Sequence, residues 1–208
     1  MQKIDSIIDN KVYDYFQTFG TGTIEYLDNW KELLPKNLNQ NLSNFDWSTT
    51  VTRNFQEVEK YISTSESELL SKVGFFDKFE NTSHIQWRII KDRDLNIDWS
   101  SLHHKLTNYF SFFKIWISQI PSGCCIPQHL DSIESFVEEY KVKESEVVNI
   151  KRLVILPEDI KPWHHLWYGN DIITKSFAGD VYKFNFWEPH GGSNLGPTPK
   201  YTIQVIGI

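Results

Sequence analysis

The chain has 208 residues, with 27 acidic and 21 basic side chains for a formal charge of −6. Such a balance gives no general attraction to a phosphate backbone, so no nucleic-acid partner is expected. Aromatic residues make up 15%, with 8 Trp and 14 Phe, too much apolar surface for a disordered chain and enough to bury a substantial core.

The length is that of one domain, 1–208, and no repeat or Gly/Ser linker divides it. The opening "MQKIDSIIDNKVYDYFQTFG" carries acids among its apolar residues and lacks the apolar centre of a signal peptide. No run reaches the length of a membrane span, so a soluble, cytoplasmic protein without a membrane partner is expected. Residues 1–111 read as a helical or mixed support region. "SESELLSKVGFF" at 65–76 is predicted as a helix with Gly74 as its stop. "DWSSLHHKLTNYF" at 98–110 places Leu102, Leu106 and Phe110 on one helical face, with Asp98 or Ser100 as cap. His103 and His104 then point to different sides of that helix, as surface or supporting residues.

From 112 the texture is β. "FFKIWISQI" stops at the turn signal Pro121-Ser122-Gly123, and "CIPQHLD" follows as a short extended run. The adjacent Cys124 and Cys125 cannot bridge each other without strain and are expected as reduced thiols near the turn. Residues 132–149 form an acidic, helix-prone insert. "IKRLVILP" is a strand closed by Pro157, and "PWHHLWYG" and "DIITKSFAG" pair as a hairpin about Gly169-Asn170. "GDVYKFNFW" enters a strand through Gly179-Asp180, and "KYTIQVIGI" closes the chain as another. Short strands at turn-punctuated spacing predict a sandwich or cupin-like jelly roll over 112–208. With flanking helices mostly from the N-terminal half, the class is α+β.

Within "QHLDS", residues i and i+2 of a strand project from one face, so His129 and Asp131 present an imidazole and a carboxylate side by side. A histidine from a neighbouring strand would complete a facial set of two histidines and one carboxylate, which suits ferrous iron and leaves positions open for a co-substrate and oxygen. His190 is the candidate: Pro189 holds the chain extended before it, and Gly191-Gly192 lets the backbone turn close to a ligand. Oxygenases using such iron commonly take 2-oxoglutarate, whose distal carboxylate needs a buried cation. After His190 the only cationic side chain is Lys200, at the start of the last strand, with Thr202 on its face at i+2.

The run of Gly123, Pro127, His129, Asp131, Gly179-Asp180, Pro189-His190, Asn194, Gly196, Lys200, Thr202 and Gly207 resembles the Fe(II)/2-oxoglutarate-dependent oxygenase superfamily. Its flavour is that of the prolyl-hydroxylase and aspartyl/asparaginyl-hydroxylase-like branch with compact bacterial and phage members. The resemblance covers 112–208 and implies a double-stranded β-helix, Fe(II) on His129, Asp131 and His190, 2-oxoglutarate and O2 as co-substrates, and hydroxylation of a small-molecule or peptide substrate. Many members use Arg where this chain has Lys200, and a lysine cannot grip a carboxylate bidentately. Asp131 departs from the aspartyl/asparaginyl type and argues against a halogenase.

The resemblance also offers Arg152, at the head of "RLVIL", to the 2-oxoglutarate C1 carboxylate or a substrate carboxylate, against a plain edge-strand arginine. In "PWHHLWYG" the two histidines point apart on a strand and cannot readily chelate one ion, but one of them, His165, is a candidate for the pocket lining. Asn194 either forms the 190–196 loop or touches co-substrate, and Asp180 shapes its turn. The acidic insert is a solvated helix face or a cover over the iron that favours a basic substrate. A cupin-like binding protein with a structural or absent metal and a zinc-dependent hydrolase on the same three ligands remain as alternatives. A nucleic-acid dealkylating oxygenase fits the acidic charge poorly.

Overall fold

Strands with one apolar and one polar face must find two different surroundings, and residue 113 onward shows how they are provided. In the computed structural model, which describes residues 24–50, 52–54, 84–129, 131, 133–169 and 171–208, this part of the chain runs as β4 (Phe113–Ile120), β5 (Cys124–His129), β6 (Lys151–Ile155), β7 (His164–Tyr168), β8 (Asp171–Ile173), β9 (Asp180–Asn185), β10 (His190–Asn194) and β11 (Lys200–Gly207). Ahead of them lie β1 (Glu25–Asn29), β2 (Thr52–Asn54) and β3 (Gln86–Lys91). The helix predicted at 65–76 lies outside the described residues.

The strands form two antiparallel sheets. The larger has the order β1-β9-β6-β11-β4-β3-β2 and the smaller β5-β10-β7-β8. From β4 to β11 the chain passes back and forth between them, so that β9-β6-β11-β4 faces β5-β10-β7-β8. That winding is a double-stranded β-helix, the cupin-like jelly roll expected from the strand spacing. The turn at Pro121–Cys124 is closed by Cys124 N–H donating to Pro121 O at 3.2 Å, with Gly123 at φ +72°, where a side chain is disfavoured. Asp180 shapes the entry to β9, accepting from Ser176 Oγ at 2.7 Å, Phe177 N at 2.8 Å and Asn29 Nδ2 at 2.8 Å.

Helices α1 (Leu38–Asn44) and α2 (Ser100–Leu106) cover the outer face of the larger sheet. Leu42, Leu102, Leu106 and Phe110 pack there against Ile115, Ile117, Ile203 and Val205. Asp98 caps α2 by accepting from Ser100 N–H at 2.9 Å, and His103 is held by Asp92 at 2.8 Å, a supporting contact. The N-terminal region is therefore less purely helical than a support layer needs to be: β1, β2 and β3 extend the same sheet as the jelly-roll strands.

The acidic insert folds as α3 (Glu134–Tyr140) followed by a 3-10 turn at Glu144–Asn149. Phe136 and Val147 pack on Ile206, Phe186 and Trp116 at one end of the barrel, while Glu134, Glu138, Glu139 and Glu144 are exposed. It is a solvated face. Among the described residues none of its acids lines the interior, and no helix is long and apolar enough to cross a membrane.

Because Leu102 is fully buried between α2 and the sheet, Leu102→Ala is expected to cost about 2–5 kcal/mol. Thermal unfolding should show a midpoint lowered by roughly 2–4 °C for each kcal/mol.

Candidate metal centre

On β11 the residues alternate between the two surroundings. Tyr201, Ile203 and Val205 join the apolar core under the helices. Lys200, Thr202 and Gln204 are buried polar residues on the opposite, inward face. Ser118 of β4 and Arg152 of β6 are buried on the same side. A half-polar interior is costly in a core, so it marks a cavity built for something polar. The cavity has about 450 Å³ of open space, mouth included, and is lined by Trp87, Ile89, Trp116, Thr202 and Gln204 on one side and by His129, Asp131 and His190 on the other.

His129 and His190 sit directly opposite each other in the β5–β10 pairing. The register slips between Gly192↔Ile126 and His190↔His129, which leaves one extra residue in β5 around Pro127. A proline lacks the N–H that a regular ladder needs, and edge strands and bulges are where it is tolerated. The bulge frees the Pro127 carbonyl, which takes His129 Nδ1 at 2.9 Å. Likewise Glu188 O takes His190 Nδ1 at 3.0 Å. A carbonyl only accepts, so each Nδ1 carries the proton and each Nε2 keeps its lone pair. Tyr168 stacks on the His190 ring at 5.7 Å and Trp87 lies 6.2 Å from His129.

Both lone pairs are aimed at Asp131. Its Oδ1 lies 3.2 Å from His129 Nε2 and its Oδ2 3.1 Å from His190 Nε2. All three ligand atoms fall within 4.8 Å of one another. Ligands about 2.1 Å from a metal and at right angles to each other stand about 3 Å apart, so the donor set fits a divalent ion with little movement. Burial, with His129 and Arg152 nearby, holds the His190 pKa well below the usual histidine value, which keeps the ring neutral as a ligand requires. Asp131 follows the end of β5 rather than lying on it, so its approach to His129 comes from the chain leaving the strand, beyond the reach of the i, i+2 rule.

Lys200 is 2% exposed. Its Nζ donates to His165 O and, at 3.5 Å, to Ser193 O, and burial lowers its pKa to about 7. Gly192 leaves it room: a Cβ there would stand 3.0 Å from Lys200 Nζ. At Gly191 a Cβ would stand 2.7 Å from Ile126 O and 2.8 Å from Pro127 O. A Gly-Gly pair suggests a backbone turn near a ligand, but both residues lie within β10, paired on each side. Their purpose is room: one for the bulge that aims His129, the other for the lysine.

The structure places three further candidates: His165 away from the cavity, Asn194 in the loop-holding role of its two alternatives, and Arg152 off the sheet edge. The His165 ring lies on the outer face of β7, against Ser193 Oγ at 3.1 Å, and only its carbonyl reaches Lys200. The buried histidine of the pair is His164, whose pKa burial and then Lys200 push down to about 4. Asn194, 0% exposed, spends its amide on Ile120 O, Pro121 O and Thr198 O at 3.0, 3.1 and 2.8 Å and accepts from Gly196 N–H at 3.1 Å. It ties the end of β10 to two loops and does not line the cavity. Arg152 is no edge-strand arginine: β6 is paired on both sides, the guanidinium contacts Asp131 Oδ2, and it rests 5.0 Å from the Trp116 ring.

No known family model matches the chain, and no curated protein does. Among solved structures it is similar to a prolyl hydroxylase in complex with a hypoxia inducible factor oxygen degradation domain peptide fragment from Trichoplax adhaerens, with 10% identity, 99% of this chain and 90% of that one covered, and a TM-score of 0.49. It is also similar to a putative sugar phosphate isomerase from Acidithiobacillus ferrooxidans, with 14% identity, 60% and 61% covered and a TM-score of 0.35. A predicted oxalate decarboxylase from Thermotoga maritima matches with 15% identity, 59% and 81% covered and a TM-score of 0.32. The fold assignment rests on the strand order given above.

The contacts at Gly191 generate a test. Its Cβ has two backbone oxygens in the way, so Gly191→Ala should destabilise the protein by about 1–3 kcal/mol. Because those oxygens belong to the bulge that aims His129, Co(II) affinity measured by its visible absorption should fall as well. A variant with wild-type stability and affinity would detach the glycine from the ligand geometry.

Proposed function

We propose that the chain is an Fe(II)- and 2-oxoglutarate-dependent dioxygenase that hydroxylates an unactivated C–H bond, with succinate and carbon dioxide as co-products. The observation that carries this reading is the combination of three converging donors, His129 Nε2, Asp131 and His190 Nε2, with a buried lysine on the same interior. A binding protein with a structural metal, or a zinc hydrolase, needs the donors but has no use for a desolvated cation behind them.

In this reading His129, Asp131 and His190 hold the iron, and bound iron with 2-oxoglutarate supplies the oxidising chemistry. The residues of the chain do the rest. The Pro127 and Glu188 carbonyls fix the tautomers, so that the ligating nitrogens are free of protons. Lys200 leaves its two backbone carbonyls for the distal carboxylate of the co-substrate, and Thr202, two residues along the same inward face, adds a hydroxyl donor. Trp87, Ile89 and Trp116 give the cavity apolar walls that disfavour water.

Lys200 gives this reading a pH dependence. Its pKa is lowered to about 7, so the free amine is neutral above that pH, whereas a carboxylate binds the ammonium form. On Zn(II)-loaded protein, calorimetry should show 2-oxoglutarate affinity falling as pH rises past 7, approaching ~10-fold per unit, with a proton taken up on binding. Lys200→Ala should weaken binding by at least ~10-fold and flatten the profile. Unchanged affinity in that variant would remove the lysine from the site.

A further inference from the structure

The inward face of the larger sheet holds two side-chain oxygens that the assignment above leaves unused. Gln204 of β11 is 9% exposed and Ser118 of β4 is 5% exposed, and both line the cavity across from His129, Asp131 and His190. Among the described residues, Gln204 Oε1 and Ser118 Oγ are buried without a hydrogen-bond partner. A buried polar atom left unpaired is destabilising, and on a cavity wall it marks a place where a ligand completes the bond.

The orientation of the Gln204 amide is set by its neighbours. Its Nε2 donates to Thr202 Oγ1 at 3.1 Å, and its bond to the Tyr168 hydroxyl uses the same nitrogen, since Oε1 is unpaired. In the oxygenase reading Thr202 gives its own hydroxyl proton to the co-substrate, so toward Gln204 it only accepts. Both N–H bonds of the amide are thereby spent, and its oxygen is the acceptor that Gln204 offers to the cavity. The Ser118 hydroxyl has a proton to donate.

Strand register places the two groups on one wall. Ser118 pairs with Thr202 across the β4–β11 ladder, and Gln204 is two residues further along the same face, so Ser118 and Gln204 are diagonal neighbours. An acceptor and a donor side by side suit a ligand edge whose N–H and carbonyl oxygen point the same way. A primary carboxamide or a lactam has such an edge, because one N–H lies cis to the C=O. A trans peptide group does not, since its N–H and C=O point in opposite directions. An ammonium supplies no acceptor, and a carboxylate supplies no donor. Trp116, opposite Gln204, and Ile89, opposite Ser118, give the flanking wall an apolar surface for the hydrocarbon part of a neutral ligand.

We propose that Gln204 and Ser118 recognise the substrate through a neutral cis amide edge, the N–H donating to Gln204 Oε1 and the carbonyl accepting from Ser118 Oγ–H. The substrate class is a primary carboxamide or a lactam, held on the larger sheet across the cavity from the metal ligands. The inference rests on the oxygenase reading, in which Thr202 faces the co-substrate.

Calorimetry on protein loaded with redox-inert Zn(II) and 2-oxoglutarate tests this with benzamide and 2-piperidone, one for each source of the edge. Each is compared with the ketone of the same shape, acetophenone or cyclohexanone, and benzamide also with N-methylbenzamide, whose methyl replaces the cis N–H. At least one amide should bind, at least ~10-fold more tightly than its ketone, and the tighter of the two identifies the source. N-methylbenzamide should behave as acetophenone does. Gln204→Met keeps the side-chain length and removes the acceptor, so the amide-to-ketone ratio should fall to about 1; a ratio within one variant is insensitive to lost stability. Ser118→Ala leaves the Gln204–Thr202 bond in place and should weaken amide and ketone alike by ~2–10-fold, with 2-oxoglutarate affinity unchanged. Binding of neither amide, equal binding of amide and ketone, N-methylbenzamide as tight as benzamide, a ratio that survives Gln204→Met, or an unaltered Ser118→Ala overturns the proposal. Absent 2-oxoglutarate binding in the wild type sinks the oxygenase reading instead, whereas bound 2-oxoglutarate with no amide preference sinks only the role of Gln204 and Ser118.

Discussion

Two neutral imidazoles and a carboxylate aimed at one another repel unless a cation stands between them. Much of this protein can be traced to that one constraint. The Pro127 and Glu188 carbonyls bind the two Nδ1 atoms and so force both lone pairs inward. The bulge at Pro127 frees one of those carbonyls, and Gly191 leaves space for the bulge. Burial and neighbouring charge then keep His190 from escaping the repulsion by taking up a proton. Each step removes an alternative to a metal ion.

The rest of the interior follows from β11, which divides two kinds of chemistry between its faces. Outward, Ile203 and Val205 belong to the apolar core under α1 and α2, where burial does the ordinary work of holding a fold together. Inward, Lys200, Thr202 and Gln204 form a polar row with Ser118 and Arg152 beside it. Such a row lowers stability unless it is completed by ligand. The larger sheet can carry it because its other face is so well covered.

Much of this was readable in the sequence, and the parts that were not share a physical cause. Turn chemistry delimited β4, β6, β9 and β11, because Pro, Gly and Asp mark strand ends locally. His129, Asp131 and His190 were legible as a set because their spacing suits one ion, and Lys200 because it is the last cation in the chain. β10 was not legible as a strand: "HGGSN" has neither apolar alternation nor β-branched residues, and its glycines answer to Trp167, Lys200 and the β5 bulge, contacts set by pairing rather than by local preference. The same holds for His165, whose side of the sheet depends on register, and for Asn194, two of whose three carbonyl partners, Ile120 and Pro121, lie far away in the sequence. Arg152 was read as a choice between an edge position and a ligand, since nothing local reveals that β6 lies between β9 and β11.

The most direct measurement of the central claim is the visible absorption of the protein under anaerobic conditions as Fe(II) and then 2-oxoglutarate are added. The account predicts a weak charge-transfer band that appears only with both components, from chelation of iron by the 2-oxo acid at His129, Asp131 and His190, and that is lost in His129→Ala. No band in the wild type, or a band that survives in His129→Ala, would contradict the account.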